Sequence, residues 1–161
     1  MTTSTWLPAA TLGIIRGGGV IAWDANETMS SLGERSIQDM HALTVVNLLE
    51  QAANDFDSVD GNRLGILDRF VCSQQDAHFS VLASDEDATL QDIVDDDGFD
   101  RVHEILSRFS RMILVYTGNN IRASHFLAAV EAADLLCAEL RTSQQGAGIE
   151  PYDTWSSFNS A

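Results

Sequence analysis

The sequence predicts an α/β domain in which a mostly parallel sheet is flanked by helices, in three layers. Short apolar runs typical of strands buried on both faces occur at residues 20–23, 79–83 and 112–116. Segments with apolar residues at helical spacing separate these runs, and a polar loop follows each run. Strands and helices that alternate in this way form βαβ units with right-handed crossovers.

The first elements are a helix, a tight turn and a strand. Residues 2–15 carry apolar side chains at helical spacing, and Pro8 lies near the first turn, where proline is tolerated. The glycines at 17–19 end this helix, because glycine readily adopts the left-handed backbone that closes a helix. Val20 to Trp23 is the first buried strand, and it ends at Asp24.

The next segment, up to residue 72, gives weaker signals. A polar loop over 26–33 precedes a helix that begins near Ser36. That helix places Met40, Leu43, Val46 and Leu49 on one face. Residues 55–62 form an acidic, turn-rich loop, and 64–72 indicate a short helix.

The second strand and its following helices occupy residues 79–109. The strand at 79–83 is followed by the acidic loop 84–88 and by a short helix over 89–95. Gly98 interrupts that helix, because glycine is a poor helix former. A second amphipathic helix then carries its apolar face on Phe99, Val102, Ile105, Leu106 and Phe109.

The strand at 112–116 is the clearest in the chain. A loop at 117–120 and a helix at 123–133 follow it, and 135–140 is interpreted as one more strand. Together these elements predict a single domain over 1–141 and a flexible tail over 142–161.

Composition narrows the class of protein. The chain has 161 residues, enough for one domain with a sizeable core, and no apolar run approaches the length of a membrane span. The N-terminus lacks the basic flank of a signal peptide. Cys72 and Cys137 lack metal-ligand spacing and are interpreted as reduced, buried thiols in a cytoplasmic protein.

The net charge of −15 has several interpretations. The favoured one is that it maintains solubility and repels nucleic acid. Imitation of DNA toward a basic partner is an alternative, and a salt-rich habitat or a GC-rich genome is another. Direct nucleic-acid binding is disfavoured because no basic stripe provides a phosphate footprint. No interaction with a membrane is expected.

Two polar loops mark the best site hypothesis. Asp24 to Thr28 follows the first strand, and Thr117 to Asn120 follows the strand at 112–116. Ligands of parallel α/β sheets bind beyond the carboxyl ends of the strands. Other motifs are weaker: Asp95-Asp96-Asp97 is interpreted as a solvated helix junction, because no EF-hand spacing is present, and the four histidines are interpreted as surface residues.

At these loops the chain resembles a known family. The stretches at 17–35 and 79–136 are similar to the ParA/MinD-type ATPases of actinobacteria, which are deviant-Walker P-loop NTPases of partitioning and positioning systems. The resemblance covers residues 2–140. It matches Asp24 to a switch aspartate and Asn26 to a position that often carries a second one. It also places Thr117, Gly118 and Asn119 after the Walker-B-like strand, so nucleotide-binding residues are expected at these five positions.

The chain departs from the family's pattern in the parts that hold ATP. All nine basic residues are arginine, so the phosphate-binding lysines are absent, and no Gly-x-x-x-x-Gly-Lys-Ser/Thr run is present. Tyr116 stands where the family has the Walker-B-like aspartate. The resemblance also implies that the first strand and the phosphate loop are missing, as is the part after Arg141. If that strand belongs in mid-sheet, its loss leaves two interior edges, so the chain must close the gap, refold locally or borrow a strand from another copy. The hypothesis is a homo-oligomer with its interface at this edge.

These departures predict a truncated, degenerate and non-hydrolytic ParA/MinD-like protein. It would act through protein association in a partitioning, positioning or secretion-associated system, with a homo-oligomer or an intact relative as its partner. No catalytic residue, metal site or cofactor is expected, and binding of ATP and Mg²⁺ is disfavoured. The alternatives are an ATPase whose nucleotide site a partner chain completes, and a remnant of a longer active ATPase.

Overall fold

The computed structural model describes residues 3–26, 43–55, 64–84, 94–118 and 120–137. The helices are α1 (Thr3–Arg16), α2 (Val45–Asp55), α3 (Leu64–Leu67), α4 (Asp96–Phe109) and α5 (Ser124–Ala132). The strands are β1 (Val20–Asp24), β2 (Cys72–Gln74), β3 (Phe79–Leu82) and β4 (Met112–Tyr116), with a 3-10 turn at Gln75–Ala77. The predicted α/β class is confirmed, and β1, β3 and β4 lie where the apolar runs predict them.

The four strands form one continuous sheet in the order β2-β3-β1-β4. β1 pairs in parallel with both β3 and β4, and Ile21 lies opposite Ser80 on one side and Ile113 on the other. β2 pairs antiparallel with β3. β1 bonds to a strand on each side, so the described sheet is continuous, and the loss of a first strand stays a prediction. Among the described residues, the edges of the sheet are β2 and β4.

The described helices cover the two faces of the sheet, which gives the three layers predicted. α2 to α4 enclose the larger core with Ile21 and Trp23 of β1. Trp23 is fully buried, and its indole stacks on Phe99 with ring centroids 4.6 Å apart. α1 packs alone on the opposite face, where Ala9 and Ala10 contact Val20 and Ala22. Successive side chains of β1 therefore point to opposite faces of the sheet, and alternate residues pack into two different cores.

α1 approaches the turn between β2 and β3 very closely at Gly13. A Cβ on Gly13 would collide with the backbone carbonyls of Ala77 and His78. Glycine is unfavourable inside a helix, so the close approach explains its presence. After the helix, Gly17, Gly18 and Gly19 all have positive φ, and the Gly17 N–H donates to the Gly13 carbonyl at 2.8 Å. This confirms the predicted glycine turn.

Two helix boundaries differ from the prediction. Leu43 and Thr44 are not helical, and the helix begins at Val45 because Asn47 Oδ1 accepts the Thr44 N–H at 2.9 Å. Gly98 does not interrupt a helix. It lies in the first turn of α4, and its N–H donates to the Asp95 carboxylate at 2.9 Å. The Asp95–Asp97 cluster, which the sequence analysis interprets as a solvated helix junction, is the start of α4, with Asp95 as the N-cap.

The end of the described chain and one edge strand also differ. Residues 135–137 are exposed and irregular, so the strand predicted from Leu135 does not form there, and Cys137 is exposed whereas Cys72 is buried. β2 was not predicted, because Cys72-Ser73-Gln74 has no apolar pattern. Predictions that fall on 27–42, 56–63, 85–93 and 138–161 lie outside the described residues.

Candidate functional site at the carboxyl end of the sheet

The carboxyl ends of β1 and β4 lie side by side. Asp24 is in register with Tyr116, and the ladder continues one step further, because the Ala25 N–H donates to the Tyr116 carbonyl at 2.9 Å. The loops that begin at Ala25 and Thr117 therefore leave the sheet together. The sequence predicted that these two loops are neighbours, because the carboxyl ends of parallel strands lie at the same end of a sheet.

Asp24 is the only carboxylate buried among the described residues, with 1% of its surface exposed. Its Oδ1 atom accepts the backbone N–H of Asn26 at 3.3 Å. Removing a carboxylate from water is costly, so a carboxylate retained at a buried strand end indicates a specific role. The position of Asp24, at the end of the central strand, is where a ligand-binding group of this kind of sheet is expected.

Asn26 and Gly118 are in direct contact across the two loops. Gly118 has a φ of +72°, which favours glycine, and a Cβ at this position would collide with the Asn26 carboxamide. The structure thus brings together three of the predicted residues, Asp24, Asn26 and Gly118. Thr117, which lies between Tyr116 and Gly118 in the chain, is partly buried. Asn119 lies outside the described residues.

The β4 loop leads directly into α5. Asn120 organises this connection, since its Oδ1 accepts the Arg122 N–H at 3.2 Å and its carbonyl accepts the Ala123 N–H at 3.1 Å. His125, in the first turn of α5, is only 4% exposed. The prediction that all histidines lie on the surface is therefore wrong for His125. Ala129 on the same helix is also buried.

A second helix also begins at this end of the sheet. The Val45 N–H donates to the carbonyl of Ala83, the residue that follows β3, at 3.0 Å. The amino termini of α2 and α5 therefore both lie at the carboxyl end of the sheet. Helix amino termini carry partial positive charge and N–H donors, which suit anions. The carboxyl end of the sheet therefore combines one buried carboxylate with polar loops and two helix starts.

The chemistry available at the carboxyl end of the sheet is limited. Tyr116 ends β4 with a neutral phenol, where a carboxylate would offer a hard anionic ligand for Mg²⁺. Within the described ranges, no group of three or more His, Cys, Asp or Glu side chains is arranged to hold a metal ion. The sequence contains no lysine that could reach a phosphate.

Comparison with known proteins supports the fold. No protein-family model matches the chain, and no curated protein matches it in sequence. Among solved structures, the chain is similar to the crystal structure of a ParA family ATPase from Chlorobium tepidum TLS, with a TM-score of 0.61 and 13% identity. The match covers 81% of this chain and 51% of the ATPase. The chain therefore has a ParA-like fold and spans about half the length of the protein it resembles.

None of the described helices is long and apolar enough to cross a membrane.

Proposed function

We propose that this ParA-like domain acts by associating with another protein molecule and does not itself hydrolyse ATP. One observation carries the proposal: Tyr116 occupies the carboxyl end of β4, beside the buried Asp24, in a sequence without lysine. A metal-bound triphosphate needs anionic ligands for Mg²⁺ and cations for the transferred phosphoryl group. The residues present do not fit that group.

The charge of the chain argues in the same direction. Phosphoryl transfer is catalysed mainly by positioning and by neutralising negative charge. This chain has a net charge of −15, and the position next to Asp24 on β4 adds a phenol instead of a metal ligand. Arginine binds phosphate well, but the arginine nearest in sequence to the candidate site is Arg122, which is exposed and lies beyond the loop.

The role that fits these features is regulatory. A ParA-like domain without hydrolysis can bind an intact ParA-like relative, or a second copy of itself, and change its activity in a partitioning, positioning or secretion-associated system. Association would then be the function, with no metal or cofactor of its own.

Titration calorimetry with ATP and Mg²⁺ tests the part of the proposal that concerns ATP. We expect no saturable heat up to millimolar ATP and no phosphate release above the rate without protein. Two variants, Tyr116→Asp and Tyr116→Phe, form a matched pair: restoring a carboxylate should increase Mg²⁺-dependent heat, whereas the phenyl ring should not. A micromolar isotherm for the unaltered chain that Asp24→Asn abolishes would overturn the proposal.

A second candidate is a nucleotide-binding ATPase whose site a partner chain completes. The contact between Asn26 and Gly118, with Asp24 and two helix starts at the same edge, favours this alternative. Mixing the chain with an intact ParA-like ATPase, which supplies the lysines, distinguishes the two. Under this alternative, phosphate release rises above that of the ATPase alone, and Asp24→Asn removes the increase. Under our proposal, Asp24→Asn and the unaltered chain have the same effect.

A further inference from the structure

β4 is an apolar strand at the edge of the sheet. Its five residues, Met112 to Tyr116, are all only partly buried, and among the described residues β4 pairs with β1 alone. Soluble proteins usually protect such an edge with charges, proline, a bulge or a short strand. Met-Ile-Leu-Val-Tyr contains no charge and no proline, and its pairing with β1 is regular over five rungs. An edge of this kind is suited to pairing with another strand.

The backbone groups that face outward can be identified from the hydrogen bonds. The Met112 N–H donates to the Gly19 carbonyl, and the Tyr116 carbonyl accepts the Ala25 N–H, so both residues face β1. Successive residues of a strand direct their N–H and C=O groups to opposite sides. Ile113 and Val115 therefore direct theirs to the free edge. This edge offers two donors and two acceptors.

The charge around β4 is unlike that of the rest of the chain. Residues 105–130, which we call the acid-free segment, contain three arginines and no Asp or Glu, a formal charge of +3. The rest of the chain therefore carries −15 − 3 = −18. Two such molecules repel each other least where their acidic side chains are farthest away. β4 lies within the acid-free segment, and the carboxylate beside it on β1, that of Asp24, is buried.

We infer that two copies of this chain pair through β4, edge to edge and antiparallel, about a two-fold axis at Leu114. This inference rests on the proposed association and names its partner and surface. In this register Ile113 of each copy lies opposite Val115 of the other, and Met112 lies opposite Tyr116. The outward donors and acceptors of Ile113 and Val115 then form four backbone hydrogen bonds across the axis.

The side chains are self-complementary in this register. Ile113 and Val115 lie on the face with the larger core, and Met112 and Leu114 lie on the face with α1. A two-fold axis perpendicular to the sheet keeps each residue on its own face, so β-branched side chains meet β-branched side chains and Leu114 meets Leu114. Cross-strand pairs of this kind stabilise sheets. Two four-stranded sheets would become one of eight strands, and the edge would disappear.

Sedimentation and hydrogen exchange on the full chain test the inference. We expect the mass of a dimer at about 100 µM, dissociation on dilution toward 1 µM, and tighter association when NaCl rises from 0.05 to 0.5 M, because salt screens the repulsion between two acidic chains. The amides of Ile113 and Val115 should be protected in the dimer and lose protection on dilution, whereas those of Met112 and Leu114 should keep it.

Val115→Pro and Val115→Thr form the matched pair of variants. Proline removes the outward N–H of Val115 without removing a bond to β1, so two of the four intermolecular hydrogen bonds are lost. The dimer dissociation constant should rise about tenfold or more. Threonine keeps the N–H and the β-branched shape, so the constant should change by about threefold or less. If the proline variant does not fold, the dilution dependence of the Ile113 and Val115 amides decides alone.

Three results would overturn the inference. One is a monomer at 100 µM, and another is a dimer in which exchange at Ile113 and Val115 does not depend on concentration. The third is protection of both amides in the monomer, which would mean that the chain itself covers β4. None of these results bears on ATP. A monomer that neither binds nor hydrolyses ATP would leave association with a different protein standing.

Discussion

β1 and β4 are neighbouring strands that the sequence presents in the same way and the fold uses differently. Each has five residues, each is mostly apolar, and they pair rung by rung in parallel. Yet all five residues of β1 are buried, and all five of β4 are partly exposed. An apolar run therefore identifies a strand but does not tell whether the strand has one neighbour or two. Among the described residues β1 has two neighbouring strands and β4 has one, which explains why β1 is the more buried of the two.

The largest expected effect tests the role of β1 as the centre of the core. Trp23→Ala removes a fully buried indole that stacks on Phe99, and should lower the free energy of unfolding by about 3–5 kcal/mol. Trp23→Phe is the matched control, because the Trp23 indole N–H has no hydrogen-bond partner in the part of the chain that the structure describes. It should cost about 1.5 kcal/mol or less. Urea denaturation measures both; equal losses would contradict the packing described.

The second prediction compares the two strands on one rung. Ile21 of β1 and Ile113 of β4 are the same residue type and lie directly opposite each other. Ile21→Ala should cost about 3 kcal/mol, and Ile113→Ala about half of that, since Ile113 is only partly buried. The experiment is urea denaturation at two protein concentrations. If β4 pairs with a second copy, the loss at Ile113 grows with concentration whereas the loss at Ile21 is unchanged.

The third prediction concerns the loops that follow the two strands. Gly118→Ala should cost about 2 kcal/mol, because it combines a positive φ with a collision against Asn26. Gly17→Ala is the control, since Gly17 has nearly the same φ, +71°, and nothing lies within 4 Å of an added Cβ. That variant should show the strain alone, about 1 kcal/mol.

A double-mutant cycle isolates the collision. Asn26→Ala should restore part of the stability lost in Gly118→Ala but none of that lost in Gly17→Ala. Thermal unfolding of the unaltered chain, the three single variants and the two double variants measures the coupling. Additive losses for Asn26→Ala and Gly118→Ala would show that the ends of β1 and β4 are not held together through this contact.

The smallest expected effect provides a baseline away from both strands. Hydrogen bonds from Arg108 and then Arg101 lower the pKa of Glu104, on the exposed side of α4, below its ordinary value of 4.5. The folded pKa is the lower one, so the contribution is present above about pH 4.5 and is lost as pH falls through the folded pKa. Glu104→Gln should therefore reduce the melting temperature slightly at pH 7, and the reduction should become smaller as pH falls through the folded pKa. A reduction that grows as pH falls below 4.5 would reverse the sign and contradict this account.

The sequence predicted those parts of the fold that depend on local pattern. Continuous apolar runs identified β1, β3 and β4, and helical spacing identified α1, α4 and α5. It failed where a few contacts decide the outcome. β2 is three residues long and is held by pairing with β3, and Gly98 belongs to a helix because Asp95 caps it. Neither contact leaves a periodic signal.

The same distinction applies to the candidate site. The rule for parallel sheets placed the loops after Asp24 and Tyr116 at one edge, and the register confirms that they are neighbours. The contact of Asn26 with Gly118 and the burial of His125 depend on how separate segments pack. Strand order also could not be predicted, since the sequence does not state which strand lies between the other two. The nucleotide-binding role of these residues stays a prediction.

Gly13 has a consequence for how the molecule opens. A hydrogen atom is all that fits between α1 and the carbonyls of Ala77 and His78, so α1 cannot roll or slide by a turn while the β2–β3 hairpin stays in place. The hairpin, more than fifty residues further along the chain, likewise cannot detach without releasing the helix. Local unfolding should therefore involve α1 and the hairpin as one cooperative unit, and a protease that cuts one should gain access to the other at the same rate.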